Sequence, residues 1–172
     1  MPAKDIHSGL TAERLRELLD YSPETGELRW TAARRYGMAG VVAGYTARNR
    51  YIYVTVDSYH YLAHRLVWLH IYGEWPVDQI DHLNGDRCDN RAANLRDVSQ
   101  QVNQQNRRKS QRGSLSPGFL GVHFDRRRQT FIANIKDTTT MKSKYLGAYA
   151  TAAEAHQAYL EAKRRLHKGC TL

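Results

Sequence analysis

The stretch from residue 79 to residue 106, QIDHLNGDRCDNRAANLRDVSQQVNQQN, constrains this chain most strongly. Asp81 and His82 stand side by side after a short apolar run, and Asn94 and Asn103 follow His82 by twelve and twenty-one residues. Carboxylate and carboxamide oxygens suit a hard divalent ion, and an imidazole takes up a proton near neutral pH. These residue types predict a hydrolytic centre that holds one metal ion and activates one water.

Local patterns within the stretch predict two strands followed by a helix. Residues 79–83 read as the first strand, Asn84-Gly85-Asp86 as a turn, and residues 94–98 as the second strand. Ser99 is placed to cap a helix that runs to about residue 108. This ββα arrangement would bring Asp81, His82 and Asn103 to one end.

Several polar residues of the stretch have predicted roles. Asp81 and Asn103 are the expected metal ligands, because together they supply one charged and one neutral oxygen and leave positions for phosphate and water. His82 is the expected general base, and Asn94 would either fix the loop or orient the imidazole. Asp86 and Asp89 are typical turn residues. Asn106 is an alternative ligand to Asn103 if the helix begins later.

Shorter elements precede this stretch. Residues 11–20 predict an amphipathic helix with Thr11 as its N-cap, and residues 27–63 predict short antiparallel strands separated by glycine turns. Residues 64–72 predict a buried helix that ends at Gly73. His64 and His70 in that helix are expected to serve packing or hydrogen bonding.

Charge is concentrated in the last third of the chain. The whole chain carries 26 Lys and Arg against 17 Asp and Glu, and residues 109–172 hold twelve basic and four acidic side chains, a net charge of +8. Such local excess favours a polyanion partner, because a cation that neutralises a phosphate releases counterions. The alternative is a basic surface that only keeps the protein soluble.

Composition also divides the chain. Residues 109–118 are rich in basic residues, Ser, Gly and Pro, which is typical of a linker. Residues 119–124, 130–136 and 144–149 predict three strands, and Thr151 with Glu154 predicts the capping box of a following helix. The predicted domains are therefore residues 1–108, with a ββα core at 79–108, a linker at 109–118, and a second domain at 119–172.

The residues Asp81-His82, Asn94 and Asn103 resemble the motif of HNH nucleases, in the His-Asn-Asn variant found in phage and homing endonucleases. AHRLVW at 63–68 and GEWP at 73–76 resemble the lead-in of those enzymes. The resemblance implies a ββα-metal fold, one divalent ion per site, and ends with 5′-phosphate and 3′-hydroxyl groups. Asn103 stands where several members have histidine, which favours Mg²⁺ or Mn²⁺ over Zn²⁺.

Residues 119–166 resemble the Apetala, or ethylene-response-factor, DNA-binding domain. The markers are Gly121-Val122, the alternation Ala133-x-Ile135, Tyr145-Leu146-Gly147 and an alanine-rich helix. The resemblance implies a three-stranded sheet in the DNA major groove. The residues expected to contact DNA are His123, Arg126, Arg128, Lys136, Lys142, Lys144 and Tyr145, together with Arg107 and Arg108 of the preceding basic segment.

The sequence therefore predicts an α+β protein: a ββα-metal HNH nuclease domain with an N-terminal helix and antiparallel strands, followed by a three-stranded antiparallel sheet and one helix. The expected activity is metal-dependent nicking of double-stranded DNA by a homing-type enzyme, and double-strand cutting would need a homodimer or two successive events. No membrane, and no small molecule besides the metal, is expected as a partner. With no secretory signal in residues 1–10, the expected location is the cytoplasm, that of a bacterial host if the gene is a phage's. The alternatives are a non-catalytic DNA-binding regulator and an HNH protein of phage DNA packaging.

Overall fold

The structure of the protein, a computed structural model, describes residues 9–31, 38–106, 118–167 and 169–171. The chain divides into two compact units, residues 1–99 and 100–172. Both contain antiparallel sheets and helices in separate segments, which confirms the predicted α+β class. Within the described ranges, no helix is long and apolar enough to cross a membrane.

The first unit begins with a helix and a β-hairpin. Helix α1 spans Ala12–Leu18, and Thr11 caps it by accepting a hydrogen bond from the Arg14 amide, as predicted. The helix is shorter than predicted because the chain enters strand β1, Leu19–Tyr21, which pairs with β2, Leu28–Trp30. Here pairing with strand β2 outweighs the local helical preference.

A three-stranded antiparallel sheet and a buried helix follow. Strands β3 (Tyr45–Thr46), β4 (Ile52–Val56) and β5 (Tyr59–Leu62) form the sheet, with β4 in the middle. Helix α2, Ala63–Tyr72, ends at Gly73, whose φ of 79° is the left-handed conformation that glycine adopts without strain. The Arg16 guanidinium donates two hydrogen bonds to the carbonyl of His70 in the last turn of α2. Arg16 thereby satisfies a carbonyl that has no partner within the helix.

Two paired strands and the loop between them follow this core along the chain. Strand β6, Gln79–His82, pairs antiparallel with β7, Leu95–Val98, after an irregular loop that ends in a 3₁₀ turn at Ala92–Asn94. The second strand therefore begins one residue later than predicted. The Asp97 carboxylate accepts hydrogen bonds from the amides of Val77 and Asp78, at 2.7 and 3.0 Å. These two bonds fix the chain at the entrance to β6.

The second unit contains a three-stranded sheet covered on one face by a helix. Strands β8 (Val122–Asp125), β9 (Thr130–Lys136) and β10 (Ser143–Tyr149) are antiparallel with β9 in the centre. Helix α4, Ala152–Leu166, begins with the predicted Thr151–Glu154 capping box. Gly121 allows close packing of this helix, because a Cβ there would lie 2.0 Å from the Tyr159 ring.

The second unit also contains helix α3, Gln100–Gln105, which follows β7 along the chain. The amide of Gly169 donates to the Gln105 side-chain oxygen at 2.8 Å, and the Thr171 hydroxyl donates to the Asn106 side-chain oxygen. The end of the described chain thus holds the C-terminal end of α3. Residues 107–117, which contain most of the predicted linker, lie outside the described residues.

Candidate active site

Asp81 and His82 are the last two residues of β6. Their cross-strand partners on β7 are Arg96 and Leu95. Both polar side chains are buried, with exposed fractions of 6% and 4%. Burial of a carboxylate and an imidazole costs free energy unless each has polar partners, so those partners show how the site is built.

Arg96 is the ion-pair partner of Asp81. Its Nη2 lies 2.7 Å and its Nε 3.0 Å from the same carboxylate oxygen, Oδ2. Because the two residues are directly opposite in the β6–β7 register, the pair needs no rearrangement of the backbone. The guanidinium compensates the charge of the buried carboxylate.

Asn90 is the hydrogen-bond partner of His82. The Nε2 atom of His82 lies 3.1 Å from Oδ1 of Asn90, whose side chain is 1% exposed. A carboxamide oxygen can only accept a hydrogen bond, so Nε2 carries the ring proton and Nδ1 carries the lone pair. With Oδ1 of Asn90 as the partner of Nε2, Nδ1 is the nitrogen of His82 that can accept a proton.

Two further aromatic rings enclose the imidazole of His82. The ring of His64, on α2, meets it edge to face with the centroids 5.1 Å apart, and the Tyr51 ring lies 5.3 Å from His64 and 6.1 Å from His82. Burial, together with the nearby charges of His82 and Arg65, lowers the pKa of His64 to about 3. His64 is therefore a neutral wall of the site at neutral pH.

Burial also dominates the protonation of His82. It lowers the pKa of the His82 imidazole below its ordinary value, while the Asn90 hydrogen bond and the charge of Asp81 raise it in part. At neutral pH the ring is thus neutral, which is the form that can accept a proton.

Asn94 stabilises the loop between the two strands. Its Oδ1 accepts from the amide of Asn84 at 2.9 Å, and its Nδ2 donates to the carbonyl of Asp89 at 2.8 Å. The structure thus gives Asn94 the first of its two predicted roles, and the imidazole is held by Asn90 instead. Asp86 and Asp89 are turn residues as predicted, because their carboxylates accept hydrogen bonds from nearby backbone amides.

Asn103, the second predicted metal ligand, lies on α3 in the second unit. Asn106, the alternative ligand, is buried, and its side-chain oxygen accepts the Thr171 hydrogen bond. In the part of the chain that the structure describes, no three His, Cys, Asp or Glu side chains form a metal-binding group. An ion here would be held by carboxylate and carboxamide oxygens, the donor types that Mg²⁺ and Mn²⁺ accept.

The sheet of the second unit has one face away from α4. In the strand register His123 is opposite Ile132, Tyr145 is opposite Asn134 and Ser143 is opposite Lys136, and directly opposed residues share a face. We call His123, Asn134, Lys136 and Tyr145 the open face. Three of these were predicted to contact DNA, and all three are exposed.

The remaining predicted DNA contacts lie elsewhere. Lys144 is opposite Ile135, which packs beside α4, so its backbone position belongs to the other face, although its side chain is exposed. Arg126 and Arg128 lie in the β8–β9 turn, and Lys142 directly precedes β10. Arg107 and Arg108 fall outside the described residues.

Sequence reasoning missed three residues of the site, which are Asn90, His64 and Arg96. Asn90 stands in a loop rich in Asp and Asn, where turn chemistry explains every polar residue equally well. Arg96 could have been inferred, because β6 and β7 were predicted and their register pairs it with Asp81. His64 is eighteen residues before His82, and only the packing of α2 brings them together.

The central segment of the chain resembles a known nuclease family. Residues 61–105 match a family model described as HNH endonuclease, and this range contains Asp81, His82, Asn94 and Asn103. No curated protein matches the chain. A solved structure entitled "DNA binding and cleavage by the HNH homing endonuclease I-HmuI" is similar at 24% identity and a TM-score of 0.41. That likeness covers 52% of this chain and 51% of the other, so the chain spans about half the length of the protein it matches.

Proposed function

We propose that this protein is a metal-dependent DNA endonuclease with His82 as its general base. The observation that carries the proposal is the Asn90–His82 hydrogen bond, which holds a buried neutral imidazole beside Asp81 within the segment that matches HNH endonucleases. A neutral ring in a fixed tautomer next to a carboxylate is what activation of a water for hydrolysis requires. Turn residues serving only the fold would need no such arrangement.

The reaction follows from the protonation state of the ring. Nδ1 of His82 takes a proton from a water, whose oxygen attacks the phosphorus of a phosphodiester. The bond from phosphorus to the 3′ oxygen breaks, and that oxygen takes a proton from solvent. The products are a 5′-phosphate and a 3′-hydroxyl, and the ring then returns its proton to solvent.

Asp81 and Asn103 would hold a single Mg²⁺ or Mn²⁺. When bound, the ion supplies positive charge beside the phosphate and the leaving oxygen. The buried carboxylate of Asp81 fits that role, because it is already compensated by a cation, the guanidinium of Arg96. Asn94 would act indirectly, because its side chain fixes the loop through hydrogen bonds to Asn84 and Asp89.

The second unit would hold double-stranded DNA through its open face. His123, Lys136 and Tyr145 are exposed there, away from α4, and the C-terminal third carries most of the net positive charge of the chain. This arrangement fits the predicted Apetala-like domain at residues 119–172. One site per chain would cut one strand, so we propose nicking by a homing-type enzyme, with a dimer required for a paired cut.

Incubation of supercoiled plasmid with the protein and Mg²⁺ or Mn²⁺ tests this function. Metal-dependent nicking is expected, and His82→Ala should reduce its rate by about 10²–10⁴-fold, as loss of a general base does. His60→Ala, at an exposed histidine of β5, is the control and should nick at the wild-type rate. Asp81→Ala should lose cleavage and keep DNA binding.

The outcomes separate the alternatives. DNA binding without cleavage under every divalent ion would contradict the nuclease and favour a regulator. Absence of both cleavage and DNA affinity would favour a structural role in DNA packaging. Equal loss of binding and cleavage in Asp81→Ala would contradict the proposal that the site at Asp81 and His82 cleaves DNA while the second unit binds it.

A further inference from the structure

The loop that carries Asn90 is held by a segment far away in sequence, the β1–β2 hairpin. The Tyr21 hydroxyl donates to the carbonyl of Asn90 at 3.3 Å and accepts from the amide of Ala92 at 2.8 Å. Its phenol therefore spans the backbone on both sides of Arg91. Asn90 in turn holds Nε2 of His82.

The turn of the same hairpin touches the same loop. A Cβ on Gly26 would lie 2.5 Å from the Arg91 nitrogen and 2.7 Å from the Asn90 carbonyl carbon. Both atoms belong to the backbone, which cannot move aside as the end of a side chain can. Gly26 thus lets the hairpin approach the loop to van der Waals distance directly behind Asn90.

We propose that the β1–β2 hairpin positions the catalytic base, with Tyr21 and Gly26 acting on His82 through Asn90. The loop between β6 and β7 is irregular, so no strand pairing fixes Asn90. Asn94 ties the loop to Asn84 and Asp89, and the hairpin provides the fixed surface for Asn90 and Arg91. A displacement of Asn90 would release Nε2–H and allow the ring to rotate or change tautomer.

This inference rests on the proposed function. It gives a role to Tyr21 and Gly26, which lie outside the segment that matches the family model. Tyr21 and Gly26 are positioning residues, because neither touches His82. Their effect should appear in turnover and in the state of the ring, while affinity for DNA stays constant. A loss of about 10²-fold in rate is the scale expected when a reacting group is displaced by about 1 Å.

A pair of glycine substitutions tests the contact with a matched control. Gly26 and Gly40 have φ values of 75° and 77°, so alanine is strained equally at both, but a Cβ on Gly40 meets nothing within 4 Å. Gly26→Ala should lower kcat by roughly 10–100-fold with the dissociation constant for DNA unchanged. Gly40→Ala should keep kcat within about 2-fold, because it shares only the backbone strain.

Tyr21→Phe tests the same series of contacts without adding an atom that could clash. It replaces the Gly26→Ala test if that variant does not fold. It removes both hydroxyl bonds and should lower kcat by about 10-fold. Tyr45→Phe, at an exposed tyrosine of β3, is its control. In an Asn90→Ala background Tyr21→Phe should have no further effect, because a residue that acts through another is not additive with it.

The ring of His82 provides a readout that does not depend on cleavage. In ¹⁵N spectra of histidine-labelled protein, assigned with His82→Ala, the wild type should show one protonated nitrogen, Nε2. Gly26→Ala and Tyr21→Phe should show exchange between the two tautomers, and Gly40→Ala should match the wild type. Unchanged spectra in both hairpin variants, or additive effects of Tyr21→Phe and Asn90→Ala, would overturn the inference. A wild type that cuts no DNA would instead refute the nuclease, while the spectra would still decide the positioning.

Discussion

Arg96 and Asp81 face each other across the β6–β7 hairpin, with 2.7 Å between Nη2 and the carboxylate oxygen Oδ2. The same carboxylate is the proposed ligand of a divalent ion. A bound ion would place a second positive charge on the carboxylate that Arg96 already contacts, so the guanidinium should oppose binding of the ion. We therefore expect Arg96 to stabilise the metal-free protein and to weaken its affinity for the metal ion.

Arg96→Met should destabilise the metal-free protein and strengthen its response to metal. Loss of the guanidinium leaves a buried carboxylate without its cation, which costs about 1–3 kcal/mol. Added Mn²⁺ should then raise the unfolding temperature by more than in the wild type, since binding to the folded state stabilises it according to affinity. Arg29→Met is the control, because it breaks a half-exposed pair with Glu27 away from the site. An equal or smaller Mn²⁺ response in Arg96→Met would contradict the expectation that Arg96 opposes binding of the ion.

His64 should make the protein less stable in acid. Its pKa is about 3 in the folded state, against an ordinary value of 6.5. Between these values the unfolded chain binds a proton that the folded protein does not, so the free energy of unfolding falls as the pH falls. From pH 7.5 to pH 5.0 this amounts to about 2 kcal/mol. Urea unfolding at both values should show that the wild type loses this much more stability than His64→Phe, and equal losses would refute the assignment.

Asp97 should contribute to stability through the entrance of β6. Asp97→Ala removes the acceptor of two backbone amides, and we expect a loss of about 1–2 kcal/mol in the free energy of unfolding. Asp97→Asn keeps one side-chain oxygen and should lose about half as much. Glu74→Ala removes an exposed carboxylate nearby and should change stability by less than about 0.5 kcal/mol. Denaturant unfolding measures all three, and a loss in Glu74→Ala equal to that in Asp97→Ala would show a general charge effect.

The open face of the second unit should contact DNA phosphates, and the exposed side of α4 should not. Lys136→Ala and Arg164→Ala each remove one positive charge, the first from the open face and the second from the exposed side of α4. Lys136→Ala should reduce the slope of log affinity against log salt by about 1, and Arg164→Ala should leave it unchanged. DNA binding measured over a salt series decides between them. Equal changes would indicate that only the net charge matters.

Much of the second unit was predictable because its signals are local. Thr151 and Glu154 are three residues apart, and the capping box that they form depends on that spacing alone. The alternating residues of TFIANIK gave the bounds of β9 correctly, since one face of that strand is buried against α4. The face occupied by Lys144 was not predictable, because the strand register shifts between Tyr145 and Gly147.

In the first unit, the limits of local reasoning appear at α1 and at Asn94. The pattern of residues 11–20 is helical throughout, yet the last residues join a strand because β2 provides a partner. For Asn94, sequence reasoning left two roles open. The choice depended on where the loop places Asn90 and Asn94 relative to the imidazole, which spacing along the chain does not specify.

The sequence by itself determined which groups are available for chemistry: a carboxylate and an imidazole in adjacent positions, carboxamides at fixed intervals, and a basic C-terminal third. These follow from residue identity and from periodicities of a few residues. Only the tertiary structure decided the state of those groups. Burial makes His82 neutral, Asn90 selects the nitrogen that carries its proton, and the β1–β2 hairpin lies behind that loop. Each of these depends on how the chain packs, which spacing along the sequence does not specify.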